Sequence, residues 1–156
     1  MIMRYPILLF FALFALGAYS QSGSQEEVKA AIEHFFEGFH KRDTAMMRAV
    51  LHKEVHMQRI GRDASGSPAL VNEKIADFLT SMANLPDTLQ IEERLLDYHI
   101  QADGELAHAW TPYEFYLQGD LHHCGVNSFQ LFRDPEGWKI IYIIDTRRIK
   151  GCDAQK

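Results

Sequence analysis

Between His122 and Arg148 the sequence reads HHCGVNSFQLFRDPEGWKIIYIIDTRR, and no other stretch so narrows what the chain can become. Two runs rich in aromatic and β-branched residues flank Asp134-Pro135-Glu136-Gly137, where Pro and Gly suit a tight reversal, so the pattern predicts a β-hairpin. A lone hairpin is barely stable in water. The upstream chain is therefore expected to pack on it.

That upstream chain carries helix signals first. Ser24-Gln25-Glu26-Glu27 has the form of a capping box, which predicts a helix start near Gln25. Val28, Ile32, Phe35 and Phe39 then recur at helical spacing as a buried stripe, with Lys29, Glu33 and Glu37 outside and His34 and His40 on solvated faces. Asp43 can cap a second, short helix carrying Met46, Met47, Val50 and Leu51. A short strand over Val55–Ile60 and a turn from Gly61 to Gly66 follow. Ser67-Pro68 predicts the start of a third helix, with Val71, Ile75, Phe78 and Met82 on one face and Asn84-Leu85-Pro86 as its stop. From Thr88 to Ala102 the residues suit a long strand, and turns at Asp103-Gly104 and Gly119-Asp120 lead on to the terminal hairpin. The expected class is α+β, three N-terminal helices packed on a long, curved antiparallel sheet.

The two ends and the charge balance restrict the setting. Arg4, an apolar run from Ile7 to Leu16, and small residues at Ala18 and Ser20 have the layout of a secretory signal peptide cut after Ser20. The run is shorter than the roughly 20 residues that span a bilayer. Residues 21–156 are then one domain, secreted or periplasmic, with no membrane association after cleavage. A formal net charge of -5 leaves no basic stripe to neutralise phosphates, which excludes nucleic acid as the expected partner. Cys124 and Cys152 would meet an oxidising compartment after export, and both a disulfide and two separate thiols fit their positions in the sequence. His52 and His56 are four apart but lack the Glu immediately after the first His that a zinc-protease helix needs. No metal site and no cofactor are expected.

Turn positions give an approximate cross-strand register. Turns at 103–104, 119–120 and 134–137 place Asp97, Trp110, Phe129 and Tyr142 in one row, with His99, His108, Leu131 and Ile140 on one side and Leu95, Pro112, Asn127 and Ile144 on the other. This aromatic face, which also carries Trp138, is the one expected beneath the helices. The opposite face would present Tyr98, Ala109, Gln130 and Ile141, then Leu96, Thr111, Ser128 and Ile143. It is apolar enough to be expected as a homodimer surface. Pro112 marks an edge or a bulge, after which either Glu114, Tyr116 and His123 or Tyr113 and Phe115 follow the inner face.

Helices followed by a curved antiparallel sheet resemble the nuclear transport factor 2-like superfamily, the cone-shaped, cystatin-like α+β fold of ketosteroid isomerase, scytalone dehydratase and SnoaL-like polyketide cyclases. The stretches His123-Cys124-Gly125-Val126-Asn127-Ser128-Phe129-Gln130-Leu131 and Gly137-Trp138-Lys139-Ile140, closing on Asp145-Thr146-Arg147-Arg148, are similar to the lumazine-binding branch of small exported bacterial proteins. The resemblance spans about residues 25 to 150. It implies an internal pocket between helices and sheet.

Three functions fit this pattern. A small-molecule binding protein would use Trp110, Phe129, Tyr142 and Phe35 as apolar surface, with Asp97 and Asn127 as sparse hydrogen-bonding groups. An isomerase or dehydratase would use Asp97 as a general base raised by burial beside Trp110, paired with Tyr142 and with His56 and His123 as acid or base partners. A dimeric interaction module would fill the pocket with its own side chains. Asp145, Arg147 and Arg148 could meet an anion, and Arg59 and Arg62 could reach the mouth of the cone. A ladder of surface ion pairs and solvated turn residues are the plainer expectations.

Overall fold

The computed structural model describes residues 7–152, with side chains described from Gly23 onward. The expected leader at residues 1–20 and its cleavage point lie outside the residues whose side chains are described.

Helix α1 spans Ile7–Lys41, so it does not begin at Gln25. Glu27, expected to fold back on Ser24, is engaged elsewhere: its carboxylate accepts from Trp138 Nε1 at 3.2 Å and from Arg133 at 2.9 Å. The apolar stripe holds, with Val28, Ile32, Phe35 and Phe39 buried and Phe36 added to it. Asp43 caps α2, Thr44–Ala49, accepting from the amides of Ala45 and Met46 at 3.0 and 2.9 Å. A Cβ on Gly38 would lie 2.9 Å from Met47, so glycine is what lets α2 close against α1.

Ser67-Pro68 opens a strand rather than a helix. Strand β1 spans Leu51–Arg62 and β2 spans Pro68–Glu73, paired antiparallel, and α3 begins only at Ile75 and ends at Ala83. Asp63 Oδ1 accepts from the amides of Ser65 and Ser67, which builds the turn that the capping signal imitated. Pro68 then starts an edge strand, where its missing N–H is no loss.

Strands β3 (Ile91–Leu95), β4 (His99–Asp103), β5 (Leu106–Leu117), β6 (Asp120–Asp134) and β7 (Gly137–Arg148) complete a seven-stranded sheet of order β2-β1-β7-β6-β5-β3, with β4 also on β5. The sheet is mixed, because β1 runs parallel to β7. The long strand expected over Thr88 to Ala102 is divided opposite Pro112. Leu96 donates to the Pro112 carbonyl at 2.8 Å, but Pro112 has no N–H to return and pairing lapses at Leu96–Tyr98.

Two bulges reset the expected faces. Phe115 pairs with His123 but Tyr116 with Leu121, leaving His122 as the extra residue on β6. Leu131 pairs with Ile140 but Gln130 with Tyr142, leaving Ile141 extra on β7. Each extra residue shifts the register by one and turns the flanking side chains to the other face. Ala107, Ala109, Thr111 and Tyr113 of β5 and Ile143 of β7 consequently join Phe129 and Leu131 in the buried interior. Trp110 is turned out, 48% exposed, and the expected outer-face residues Ala109, Thr111 and Ile143 are inside.

The interior closes through an aromatic cluster. Phe36 meets Phe129 edge-on at 6.2 Å, and Phe78 stacks on both Phe35 and Phe39 at 6.4 Å. Each such ring removed from water contributes roughly 1.5–3 kcal/mol. Cys124 and Cys152 are joined as a disulfide with Cα atoms 5.5 Å apart, tying the tail after β7 back to β6. The bridge joins residues 28 apart in sequence. A loop of that length restricts the unfolded chain by about 3–4 kcal/mol. Urea unfolding of the Cys124→Ser/Cys152→Ser variant should show a loss of about that size relative to the oxidised chain.

Candidate functional site

Strand β3 places one acid in an apolar register. Ile91, Glu93 and Leu95 share the face toward the helices, while Glu92 and Arg94 pair with each other outside. His40 of α1 fixes the strand by accepting the Glu93 amide at 3.0 Å, although its sequence position suggested a purely solvated residue. The Glu93 side chain reaches across to β6, where Asn127 Nδ2 donates to Glu93 Oε1 at 2.7 Å. The residue as a whole is partly buried, and its carboxyl group is in the interior. Burial pushes its pKa up to about 8; the Asn127 bond opposes this and the nearby Asp145 carboxylate adds to it.

Asn127 stands between two further polar groups in the same cross-strand row, Thr111 on β5 and Asp145 on β7. Thr111 is fully buried and its Oγ1 has no hydrogen-bond partner among the described residues. Asp145 is also raised by burial; Arg59, its neighbour on β1, pulls it down, Glu73 pushes it up, and Arg147 pulls it down.

The adjoining rows are aromatic. Tyr113 lies across Gly125 and donates to the Thr146 carbonyl at 3.0 Å. A Cβ at Gly125 would come within 2.7 Å of the Tyr113 ring and 1.8 Å of the Thr146 oxygen, so only glycine permits this crossing. Phe115 stacks on His123 with ring centroids 4.6 Å apart. Burial first, then Arg147 and His122, lower His123 to about 4. The His122 and His123 Nδ1 atoms are 2.9 Å apart, and Arg147 approaches His122 Nδ1 at 3.3 Å. Since the guanidinium can only donate, His122 Nδ1 accepts and the proton between the rings belongs to His123.

The residues expected to form the site are distributed differently. Asp97 is exposed in the gap between β3 and β4, bonding its own neighbour Tyr98 and pairing with His99 at 3.2 Å. Trp110 and Tyr142 are on the outer face, reversed by the two bulges. Tyr142 pairs there with His56 across β1 and β7 and donates to Gln58. Tyr142 and His56 are thus brought together, but away from the helices. Phe35 and Phe129 face the interior as packed core rings, and Asn127 and His123 also face inward. Glu93 and Thr111 were missed. Glu93 had a signal, an acid in step with Ile91 and Leu95; Thr111 had none, because its face depends on the His122 bulge.

A carboxyl titrating near neutrality can give or take a proton at physiological pH. Beside it, Asn127 and Thr111 offer an amide and a free hydroxyl for orienting a polar group. The chemistry available is binding of a polar function inside an otherwise apolar interior, and proton transfer to or from it.

No protein-family description matches the chain, and no curated protein matches it in sequence. Solved structures do match in shape. A nuclear transport factor 2-like protein with a cystatin-like fold from Novosphingobium aromaticivorans shares 13% identity at TM-score 0.66, covering 98% of each chain. A nuclear transport factor 2-like protein from Pseudomonas putida shares 15% identity at TM-score 0.66, over 86% of this chain and 93% of that one. A candidate dehydratase of the same family from Streptomyces avermitilis shares 16% identity at TM-score 0.62, over 81% and 97%. The fold is therefore the nuclear transport factor 2-like, cystatin-like α+β fold.

The raised Glu93 pKa has a measurable consequence. The native state holds the proton that the unfolded chain releases near 4.5, so stability falls as pH rises from there to about 8 and is level above. Glu93→Gln keeps an acceptor for Asn127 without this slope. Urea unfolding should show the variant gaining on the wild type by several kcal/mol between pH 5 and pH 8. An equal difference at both pH values would mean that Glu93 ionises as an ordinary carboxylate.

Proposed function

We propose that this chain binds a small organic molecule between its helices and the inner face of its sheet, with the ligand's polar group held by Glu93, Asn127 and Thr111. The observation that carries this reading is the buried Thr111 hydroxyl, unpartnered among the described residues, beside the Glu93–Asn127 bond. Leaving such a group unpaired costs about 1–3 kcal/mol. A ligand atom that engages it recovers that energy. Phe78, Leu95 and Phe115 supply apolar surroundings on the same side of the sheet. The Cys124–Cys152 bridge supports work in an oxidising, extracytoplasmic compartment. The terminal hairpin residues support a place in the lumazine-binding, SnoaL-like branch.

A second reading is favoured by one feature, the pKa of Glu93. A proton-transfer enzyme of isomerase or dehydratase type would use Glu93 as its acid–base group, Asn127 holding one carboxyl oxygen and leaving the other for substrate. The Streptomyces avermitilis neighbour, a candidate dehydratase, agrees with this at the level of fold.

Native mass spectrometry of the full chain, purified without denaturation, should reveal a retained small-molecule mass. Thr111→Val separates function from stability. It should stabilise the free protein by about 1 kcal/mol, since it removes an unpaired polar atom at nearly constant shape, while reducing the retained fraction. No retained mass, together with no thermal shift across a metabolite library, would overturn the binding reading. For any substrate found, Glu93→Gln should lower kcat by about 10²–10⁴ with little change in KM. Undiminished turnover would exclude Glu93 as the acid–base group.

A further inference from the structure

At the end of the sheet where β1 and β7 terminate side by side, a cleft of about 670 Å³ opens between the β1–β2 hairpin and the segment leaving β7. Its charged lining is Arg59, Arg62, Arg147, Arg148 and Lys150, and among the described residues no acidic side chain lines it. Among the described residues none of the five makes an ion pair, so the expected ladder through Asp145, Arg147 and Arg148 does not form. Strand alternation sets Arg148 apart from the other two. Asp145 and Arg147 point toward the helices and Arg148 to the outer face.

The same alternation surrounds the cleft. Arg59 and Arg147 reach it from the inner face, Arg62 and Arg148 from the outer face, and Lys150 from the tail that the disulfide holds in place. A chain with 21 acidic and 16 basic residues has thus gathered five cations around one cleft, with Asp145, which Arg59 and Arg147 act on, behind the lining rather than in it. Like charges so gathered repel, and an anion among them removes that repulsion. Guanidinium groups bind carboxylate and phosphate oxygens in paired fashion. Ile60, Val71 and Ile149 give the cleft an apolar side as well. Its volume lies in the range of organic ligands and well above that of a single inorganic ion.

We infer that this cleft is a binding site for a small organic polyanion, a phosphate ester or polycarboxylate, whose charged groups meet the arginines while its carbon skeleton rests on Ile60, Val71 and Ile149. It is separate from the Glu93 cluster, so either assignment can fail without the other.

Isothermal titration of the full oxidised chain with pyrophosphate and with citrate tests it. At least one should bind, more weakly at higher salt, and Arg62→Gln/Arg148→Gln should weaken that binding at least tenfold. Arg133→Gln, which removes an arginine already paired with Glu27, should leave it unchanged. Amide chemical-shift changes on titration should centre on Gly61 and Ile149. The inference is overturned if neither anion binds, if the double variant binds as the wild type does, or if Arg133→Gln weakens binding equally. It is also overturned if vesicles of anionic phospholipid bind at this face and pyrophosphate does not compete with them.

Discussion

Two single-residue insertions in the strand ladder, His122 in β6 and Ile141 in β7, decide what the interior of this protein is. Because side chains alternate along a strand, one unpaired residue exchanges the two faces for everything beyond it. Trp110 and Tyr142 would otherwise have been inside, and α1 would have packed against bulky rings. With the bulges in place the facing positions of β5 are Ala107, Ala109 and Thr111, small enough for the phenylalanines of α1 to approach the sheet and for Phe36 to meet Phe129. The same shift turns Thr111 and Asp145 into the row of Asn127, where Asp145 acts on Glu93.

What could be read from the sequence follows this division between local and distant causes. The stripe Val28, Ile32, Phe35 and Phe39, the Asp43 cap and the terminal hairpin depend on residues near one another in the chain, and they appear as their patterns imply. The Ser67-Pro68 signal is ambiguous because the same two residues suit both the start of a helix and the start of an edge strand. The parallel pairing of β1 with β7 has no sequence signature, since it joins segments some 86 residues apart in register, as Met57 with Ile143 shows. The bulges have none either, for His122 is followed by a second His and Ile141 is preceded by another Ile. Asn127 and His123 share the inner face with Phe129 because no bulge falls between them along β6. Glu93 was there to be found, an acid keeping step with Ile91 and Leu95.

The buried ionisable groups form a consistent electrostatic system. Burial favours the uncharged form of each, so Glu93 holds its proton up to about pH 8 and His123 stays neutral down to about pH 4. Neither charges the interior within that window. Within it the two act oppositely on stability: as pH falls from about 6.5 to about 4 the unfolded chain charges at His123 first and the fold weakens, whereas as pH rises from about 4.5 to about 8 the unfolded chain ionises at Glu93 first and the fold weakens from that side. Arg59 and Arg147 stand between this interior and the basic cleft, lowering Asp145 from one side while lining the cleft on the other.

Pro112 has an effect beyond the break it makes opposite Leu96. A long strand at a sheet border offers a row of free amides and carbonyls onto which another chain can add. Here the border beyond β5 is cut into two five-residue strands, β3 and β4, and the opposite border is the six-residue β2 that opens on Pro68. Neither edge offers a long uninterrupted template. A proline that looks like a defect in the middle of a strand thereby protects an aromatic-rich sheet from fibrous self-association, which is a property of the population of molecules rather than of any one fold.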